Sequence, residues 1–298
     1  MYHFIDYNCY YEDNFFGKLE SYMCTYTGIL SMRSEQFREL TVLPGTNRCG
    51  EKEGFDRITL CPGDTLSIVG STGSGKSAFV NDIEVLAQGD TVTGRSILIN
   101  GLPPSDEMVR DPAKKPIALI TQNTRVIADL TVQRFLALHI KARDTDSLEL
   151  IARTVTLANE FTGEKIAESM RMTSLSGGQT RSLLIADAIL IGQTPILLLD
   201  EVENAGIFKE KVIRCLKHYH KAVIFVTHDP LLAMITDRRI IMKNGAVTDV
   251  IVPDGAEREM VSHISGIDAF LIELRERIRA GDLIKSDQLP RKNPSAPA

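Results

Sequence analysis

The stretch Gly70-Ser71-Thr72-Gly73-Ser74-Gly75-Lys76-Ser77 packs three glycines, a lysine and several hydroxyls into one short segment. Its spacing, Gly then four residues then Gly-Lys-Ser, is that of a phosphate-binding loop. Small residues let the backbone curl, so that successive N–H groups point at phosphate oxygens. A helix opening behind the loop would add its positive dipole end, and Lys76 a full charge toward the β- and γ-phosphates. Ser77 would place its hydroxyl on a phosphate-bound Mg²⁺. A second stretch, Leu175-Ser176-Gly177-Gly178-Gln179, repeats this logic before an apolar helix. Ser176 with the Gly177 and Gly178 amides would form another cradle at a helix N-terminus. Pro195-Ile196-Leu197-Leu198-Leu199-Asp200-Glu201 ends an apolar run in two adjacent carboxylates.

Chemistry of this kind needs a sheet to hold it. Short apolar runs bounded by Gly, Pro or Asp read as buried strands at Thr65–Val69, Ser96–Ile99, Ile117–Thr121, Ile196–Leu199 and Val223–Thr227. Helical patterns alternate with them at Ser77–Leu86 and Lys209–Tyr219. That alternation predicts an α/β core with a largely parallel sheet. The phosphate loop then falls between a strand and a helix, and Asp200 emerges at a strand's carboxyl end, where such sheets place ligands. Between Thr131 and Ile191 the pattern is almost entirely helical, which predicts a helical subdomain of about 129–191 inserted into the core.

Leu175–Gln179 resembles the signature sequence of ABC (ATP-binding cassette) ATPases, and the resemblance extends over about residues 56–250. It implies a P-loop NTPase core, mostly parallel with flanking helices, plus an antiparallel β subdomain and the helical subdomain. It also implies ATP binding and hydrolysis with Mg²⁺. Pro195–Glu201 looks like the family's Walker B strand. Asp200 would hold Mg²⁺ through its water shell, and Glu201 would be the catalytic base that polarises the attacking water. Gln122, closing Ile117–Thr121, matches the Q-loop glutamine that contacts Mg²⁺ and senses the γ-phosphate. His228, closing Val223–Thr227 ahead of Asp229-Pro230, matches the switch histidine on the γ-phosphate. Ser176, Gly177, Gly178 and Gln179 would meet ATP held by the opposite subunit. The resemblance thus implies a homodimer, or pairing with another ABC subunit. Asp237-Arg238 and Lys243-Asn244-Gly245 resemble the close of such domains.

Two segments depart from the family pattern. The adenine-stacking aromatic usual upstream of the loop is absent, and the segment reads Thr46-Asn47-Arg48-Cys49-Gly50. Adenine would stack either on Arg48 or on an aromatic from elsewhere. After Asp200-Glu201 come Val202-Glu203-Asn204-Ala205-Gly206-Ile207, with Ile207 where the D-loop aspartate usually stands. This loop is closer to those of some DNA-repair and chromosome ABC ATPases, but the 124 positions from Lys76 to Asp200 leave no room for their coiled coils. Two functions stay open. One is the nucleotide-binding subunit of a transporter whose permease is a separate polypeptide. The other is a soluble ATPase that remodels a protein or metallocofactor assembly or acts in DNA metabolism. A nucleotide-gated module without hydrolysis conflicts with Glu201 and His228.

Composition narrows the partners. The 298 residues carry a net charge of −5, which argues against a broadly basic nucleic-acid footprint. No apolar run is long enough for a membrane helix, and residues 1–6 are not a secretory signal. A cytoplasmic protein, reaching the inner face of a membrane only through a partner, is expected. Five cysteines at irregular spacing make neither a zinc knuckle nor a disulfide framework. Residues 1–38 form an aromatic-rich extension with six of the seven tyrosines, read either as irregular or as a docking segment. Residues 39–252 form the ATPase domain. Residues 253–298 hold an amphipathic run at Ile267–Ala280 and a tail, from Leu289 on, expected to be disordered.

Overall fold

The computed structural model describes residues 37–112, 114–124, 126, 129–143, 147–202 and 206–284. Most of the N-terminal extension, the expected disordered tail and Glu203–Ala205 lie outside the described residues.

Five parallel strands build the centre: β3 (Thr65–Val69), β5 (Ile117–Ile120), β6 (Ile196–Asp200), β7 (Ala222–Val226) and β8 (Arg238–Lys243). With the antiparallel edge strand β9 (Ala246–Ile251) they stand in the order β5-β6-β7-β3-β8-β9. β6 and β7 are covered on both faces, which is why their sequences are continuous apolar runs and not alternating ones. Leu197, Leu199, Val223 and Phe225 face one apolar core, and Ile196, Leu198, Ala222, Ile224 and Val226 face the other.

The second of those cores is closed by a small antiparallel sheet, β2-β1-β4, from β1 (Leu40–Leu43), β2 (Ile58–Leu60) and β4 (Ser96–Ile99), and by helix α1 (Lys76–Glu84). Phe79, Val80 and Ile83 are the apolar stripe of α1. A short helix α2 (Asp106–Arg110) leads to β5. The first core is closed by α3 (Val132–Ala142), α4 (Glu149–Phe161) and α5 (Gly177–Leu190), the helical region expected between Thr131 and Ile191. α6 (Lys209–His218) covers the same face, and α7 (Pro230–Ile235) follows β7. Helix α8 (Gly255–Arg279) is the last described element, starting twelve residues before the amphipathic run read from sequence. No described helix is long and apolar enough to cross a membrane.

Several boundaries shift for local reasons. α5 begins at Gly177, directly behind Ser176, because Ser176 and Gln179 form a reciprocal capping box. β5 stops at Ile120, because the Thr121 amide donates to the Thr124 hydroxyl at 2.8 Å and the chain turns.

Candidate active site

In a parallel sheet every strand delivers its carboxyl end to the same edge. The loops after β3, β5, β6 and β7 therefore bring Gly70–Ser77, Gln122, Asp200-Glu201 and His228 to that edge. Ile68 pairs in register with Val226, and Val226 with Asp200. Thr227 donates its amide to Ile68, and Glu201 donates its amide to Val226 at 3.0 Å.

The phosphate loop is tight. Gly73 and Gly75 have φ of 77° and 106°, the left-handed region open to glycine. A Cβ on Gly75 would lie 2.7 Å from Gly245 Cα, and one on Gly70 would lie 2.5 Å from the Met242 carbonyl. Ser74 donates its amide to Ser71, and its carbonyl accepts from the Gly245 amide at 2.8 Å. Ser71, Thr72 and Ser77 are exposed. Buried Lys76 donates through Nζ to the Gly70 and Ser71 carbonyls at 2.7 and 3.2 Å. Helix α1 has no side-chain cap and no acidic residue in its first turn. Its leading amides are therefore left for an anion. Arg48 lies at the rim, with Nη2 donating to the Gly73 carbonyl at 2.7 Å.

Below this loop lies an ionic cluster that local patterns did not announce. Arg95 is fully buried, donating to Glu53 Oε1 at 2.7 Å and Oε2 at 2.8 Å, to Asp82 Oδ2 at 2.9 Å and to the Gly245 carbonyl at 2.9 Å. Glu53 also accepts from the Gly45 and Val247 amides at 3.0 and 2.7 Å. Burial would push its carboxyl up, but the hydrogen bonds from Arg95 and those two amides outweigh it and hold the group below its usual range. The cluster ties the antiparallel sheet, α1 and the β8–β9 turn together, and that turn braces Ser74. One signal was available: Asp82 sits among the buried residues of α1, three positions from Phe79, where a carboxylate implies a buried cation.

Beside the loop, half-buried Asp200 is pushed above its usual range, first by burial and then by the Glu201 charge, with Lys76 and His228 pulling the other way. Glu201 has φ of 49°, an unfavourable conformation for a residue with a side chain. Its Oε1 lies 3.8 Å from His228 Nε2. Asp229, next in the chain, caps α7 and pairs at 2.7 Å with Lys209, which also pairs with Asp268 of α8 at 2.9 Å.

Gln122 is exposed, and its carbonyl accepts from Arg181 of α5, so the loop after β5 is fastened to the signature helix. On that helix the Ser176 amide donates to Gln179 Oε1 at 2.9 Å, and the Gln179 amide to Ser176 Oγ at 3.2 Å. Ser176 Oγ donates to Glu164 at 2.6 Å, and Gln179 Nε2 to the Lys165 carbonyl. Gly177 is exposed and Gly178 buried. Among the described residues no hydrogen bond or ion pair joins Ser176–Gln179 to Gly70–Ser77. Ile207 is buried at 4% exposure and bridges to Thr162, so it packs into its own chain.

Oxygen donors at this edge of the sheet suit a hard cation. Ser77, Gln122 and Asp200 offer hydroxyl, amide and carboxylate oxygens. Among the described residues no three His, Cys, Asp or Glu side chains converge to cage a metal. Magnesium needs no such cage, because it keeps waters and takes phosphate oxygens.

Comparison with known proteins agrees with this geometry. A family model described as ABC transporter matches residues 56–204. An uncharacterized ABC transporter ATP-binding protein of Methanocaldococcus jannaschii is 42% identical over 254 residues, 85% of this chain and 97% of that protein. The spermidine/putrescine import ATP-binding protein PotA of Thermotoga maritima is 32% identical over 202 residues, 64% of this chain and 52% of that one. Among solved structures, a dimeric post-hydrolysis ATP-binding cassette bound to ADP and Pi matches 72% of this chain and 99% of its own, with TM-score 0.56 and 24% identity. With the phosphate loop, signature and Asp200-Glu201 in that order, the chain belongs to the ABC transporter family and is one of its ATP-binding, ATP-hydrolysing proteins.

Proposed function

We propose that ATP held on Gly70–Ser77 of one copy is closed over by Ser176–Gly178 of a second copy, and that the pair drives a separate membrane permease. The observation that carries this reading is the separation of the two cradles. Each is a glycine-fronted helix N-terminus, and among the described residues no hydrogen bond or ion pair joins them. A two-fold pair would supply the missing half of both sites.

In this reading Lys76 turns from the Gly70 and Ser71 carbonyls to the β- and γ-phosphates. Glu201 orients the attacking water and takes its proton as the oxygen reaches the γ-phosphorus. His228, 3.8 Å from Glu201, faces the same phosphoryl group. Ser77, Asp200 and Gln122 would hold Mg²⁺, which neutralises phosphate charge when bound. The raised proton affinity of Asp200 belongs to the metal-free protein, and a cation there would favour its ionised form. Import and export proteins among the relatives, PotA with them, support a transporter role for this chain. The soluble remodelling role gains no support from them.

Complementation between two broken chains tests the pair. Lys76→Ala retains the signature and loses the phosphate loop, and Ser176→Arg does the reverse. Each alone should be inactive. Co-expressed and purified as a mixed pair with two tags, they rebuild one complete site, and phosphate release should return to a substantial fraction of wild type. A mixed pair as inactive as either parent would end the composite-site reading.

A further inference from the structure

Lys209 joins three elements that lie far apart in the sequence. It opens α6, eight positions after Glu201, and its Nζ donates to Asp229 Oδ2 at 2.7 Å and to Asp268 Oδ1 at 2.9 Å. Asp229 directly follows His228, and Asp268 belongs to α8. The side chains of Lys209, Asp229 and Asp268 are 11%, 19% and 21% exposed, so water and salt screen the trio little. Burial would lower the proton affinity of Lys209, but the hydrogen bonds to the two carboxylates outweigh it and raise it. The cation therefore persists through the neutral range.

Asp229 is held on several sides. Its Oδ1 accepts from the Leu232 amide at 2.9 Å, and its own amide donates to Thr227 Oγ1 at 2.9 Å. The second bond spans His228 and fixes the backbone that carries it. Both bonds are local to the turn after β7. The bond from Lys209 is different, because it ties that turn to the far end of the segment that begins at Glu201. Glu201 Oε1 and His228 Nε2 stand 3.8 Å apart between those two anchors. On α8, Ser265 Oγ donates to Glu210 at 2.6 Å, so two neighbouring residues at the start of α6 are gripped from that helix.

We propose, on the reading of Glu201 as base and His228 at the γ-phosphate, that Lys209 is a positioning residue for hydrolysis. Through Asp229 it sets His228 against Glu201, and through Asp268 it makes α8 a support of the hydrolytic site. Phosphoryl transfer depends on positioning, and a misplacement of about 1 Å can cost roughly a hundredfold in rate. Without the ammonium, Asp229 and Asp268 face each other as like charges, and the turn after His228 loses its tie to α6. Among the described residues no hydrogen bond or ion pair joins the trio to Gly70–Ser77, so nucleotide affinity does not depend on it.

Phosphate release at saturating ATP, with fluorescent-analogue titration, tests this on the full chain. Lys209→Met keeps the apolar stem and removes the charge. Its kcat should fall by roughly ten- to a hundredfold with ATP affinity unchanged. Lys209→Arg, which still reaches both carboxylates, should recover most of the rate. Asp268→Asn leaves Asp229 paired and should lower kcat by roughly two- to fivefold. In a His228→Ala background Lys209→Met should cost no further rate, because nothing is left to position. Where Lys209→Met alone does not fold, Lys209→Met with Asp268→Asn removes the like-charge pair and carries the same expectation. A wild-type kcat for the Lys209 variant overturns the proposal, as does an equal loss in the His228→Ala background or a matching loss of ATP affinity. Asp268→Asn at the full wild-type rate overturns the part given to α8. His228→Ala at the wild-type rate overturns the role of His228 and this proposal together. A slow His228→Ala beside a fully active Lys209→Met overturns this proposal alone.

Discussion

The chain builds two glycine-fronted helix N-termini, both read as phosphate cradles, and supports them in different ways. Gly70–Ser77 rests on a buried ionic cluster, is braced by the Gly245 turn and opens a helix with no side-chain cap. Ser176–Gln179 opens α5 with a full capping box and a further bond from Ser176 to Glu164. The first leaves its amides open and fixes its shape from below, as a site that holds a polyanion by itself must. In the second, Gln179's amide is already satisfied and Gly177 faces outward, as suits a surface completed only when another molecule arrives. In the proposed reading, fixed position belongs to the cradle that binds, and local self-sufficiency to the cradle that waits.

Arg95→Ala is the severest test of that contrast. It leaves Glu53 and Asp82 buried without their cation, at a cost of about 3–5 kcal/mol. Urea unfolding should show that loss, with weaker ATP binding in the protein that remains folded. A loss near that of an average surface substitution would mean that the phosphate loop does not depend on the cluster. Lys76→Ala comes next. Losing a charged donor to phosphate costs about 1.5–3 kcal/mol, or roughly ten- to 150-fold in ATP affinity by fluorescent-analogue titration.

The signature cradle should respond in the opposite sense. Ser176→Ala removes a helix cap, costing about 0.5–2 kcal/mol of stability. It should leave ATP affinity unchanged at low protein concentration, where single chains bind alone. Affinity falling as far as for Lys76→Ala would erase the distinction between the two cradles.

The smallest effect sharpens the description of the binding edge. Asp200 holds its proton more tightly in the folded protein than in the unfolded chain. Without nucleotide or metal, the folded state is therefore unpenalised below the ordinary carboxylate range. It loses stability as pH rises through that range to the raised value, and the loss stays constant above it. Asp200→Asn should remove the loss, so its melting temperature should exceed that of wild type at neutral pH, and the gap should close on acidification. A less stable Asp200→Asn at neutral pH would mean that the carboxylate's hydrogen bonds outweigh its burial.

Much of the site was readable because its parts are local. A phosphate loop needs glycines where φ is positive, and Gly73 and Gly75 supply them. The strands carrying Asp200 and His228 are continuous apolar runs because the sheet is covered on both sides. Arg95 was not readable, because its partners lie 42, 13 and 150 positions away at Glu53, Asp82 and Gly245. Ile207, read from sequence as standing at the D-loop aspartate position, has its side chain in its own core.

By itself the sequence determined what is set within a turn or a strand: the curl of Gly70–Ser77, the cap at Ser176, the apolar strands and the carboxylates that end one of them. Only the tertiary structure decided which loops share an edge and which charges neutralise each other in the interior. The reason is physical. Backbone conformation and capping depend on neighbours within about four residues, whereas burial and ion pairing depend on strand order, which brings distant residues together.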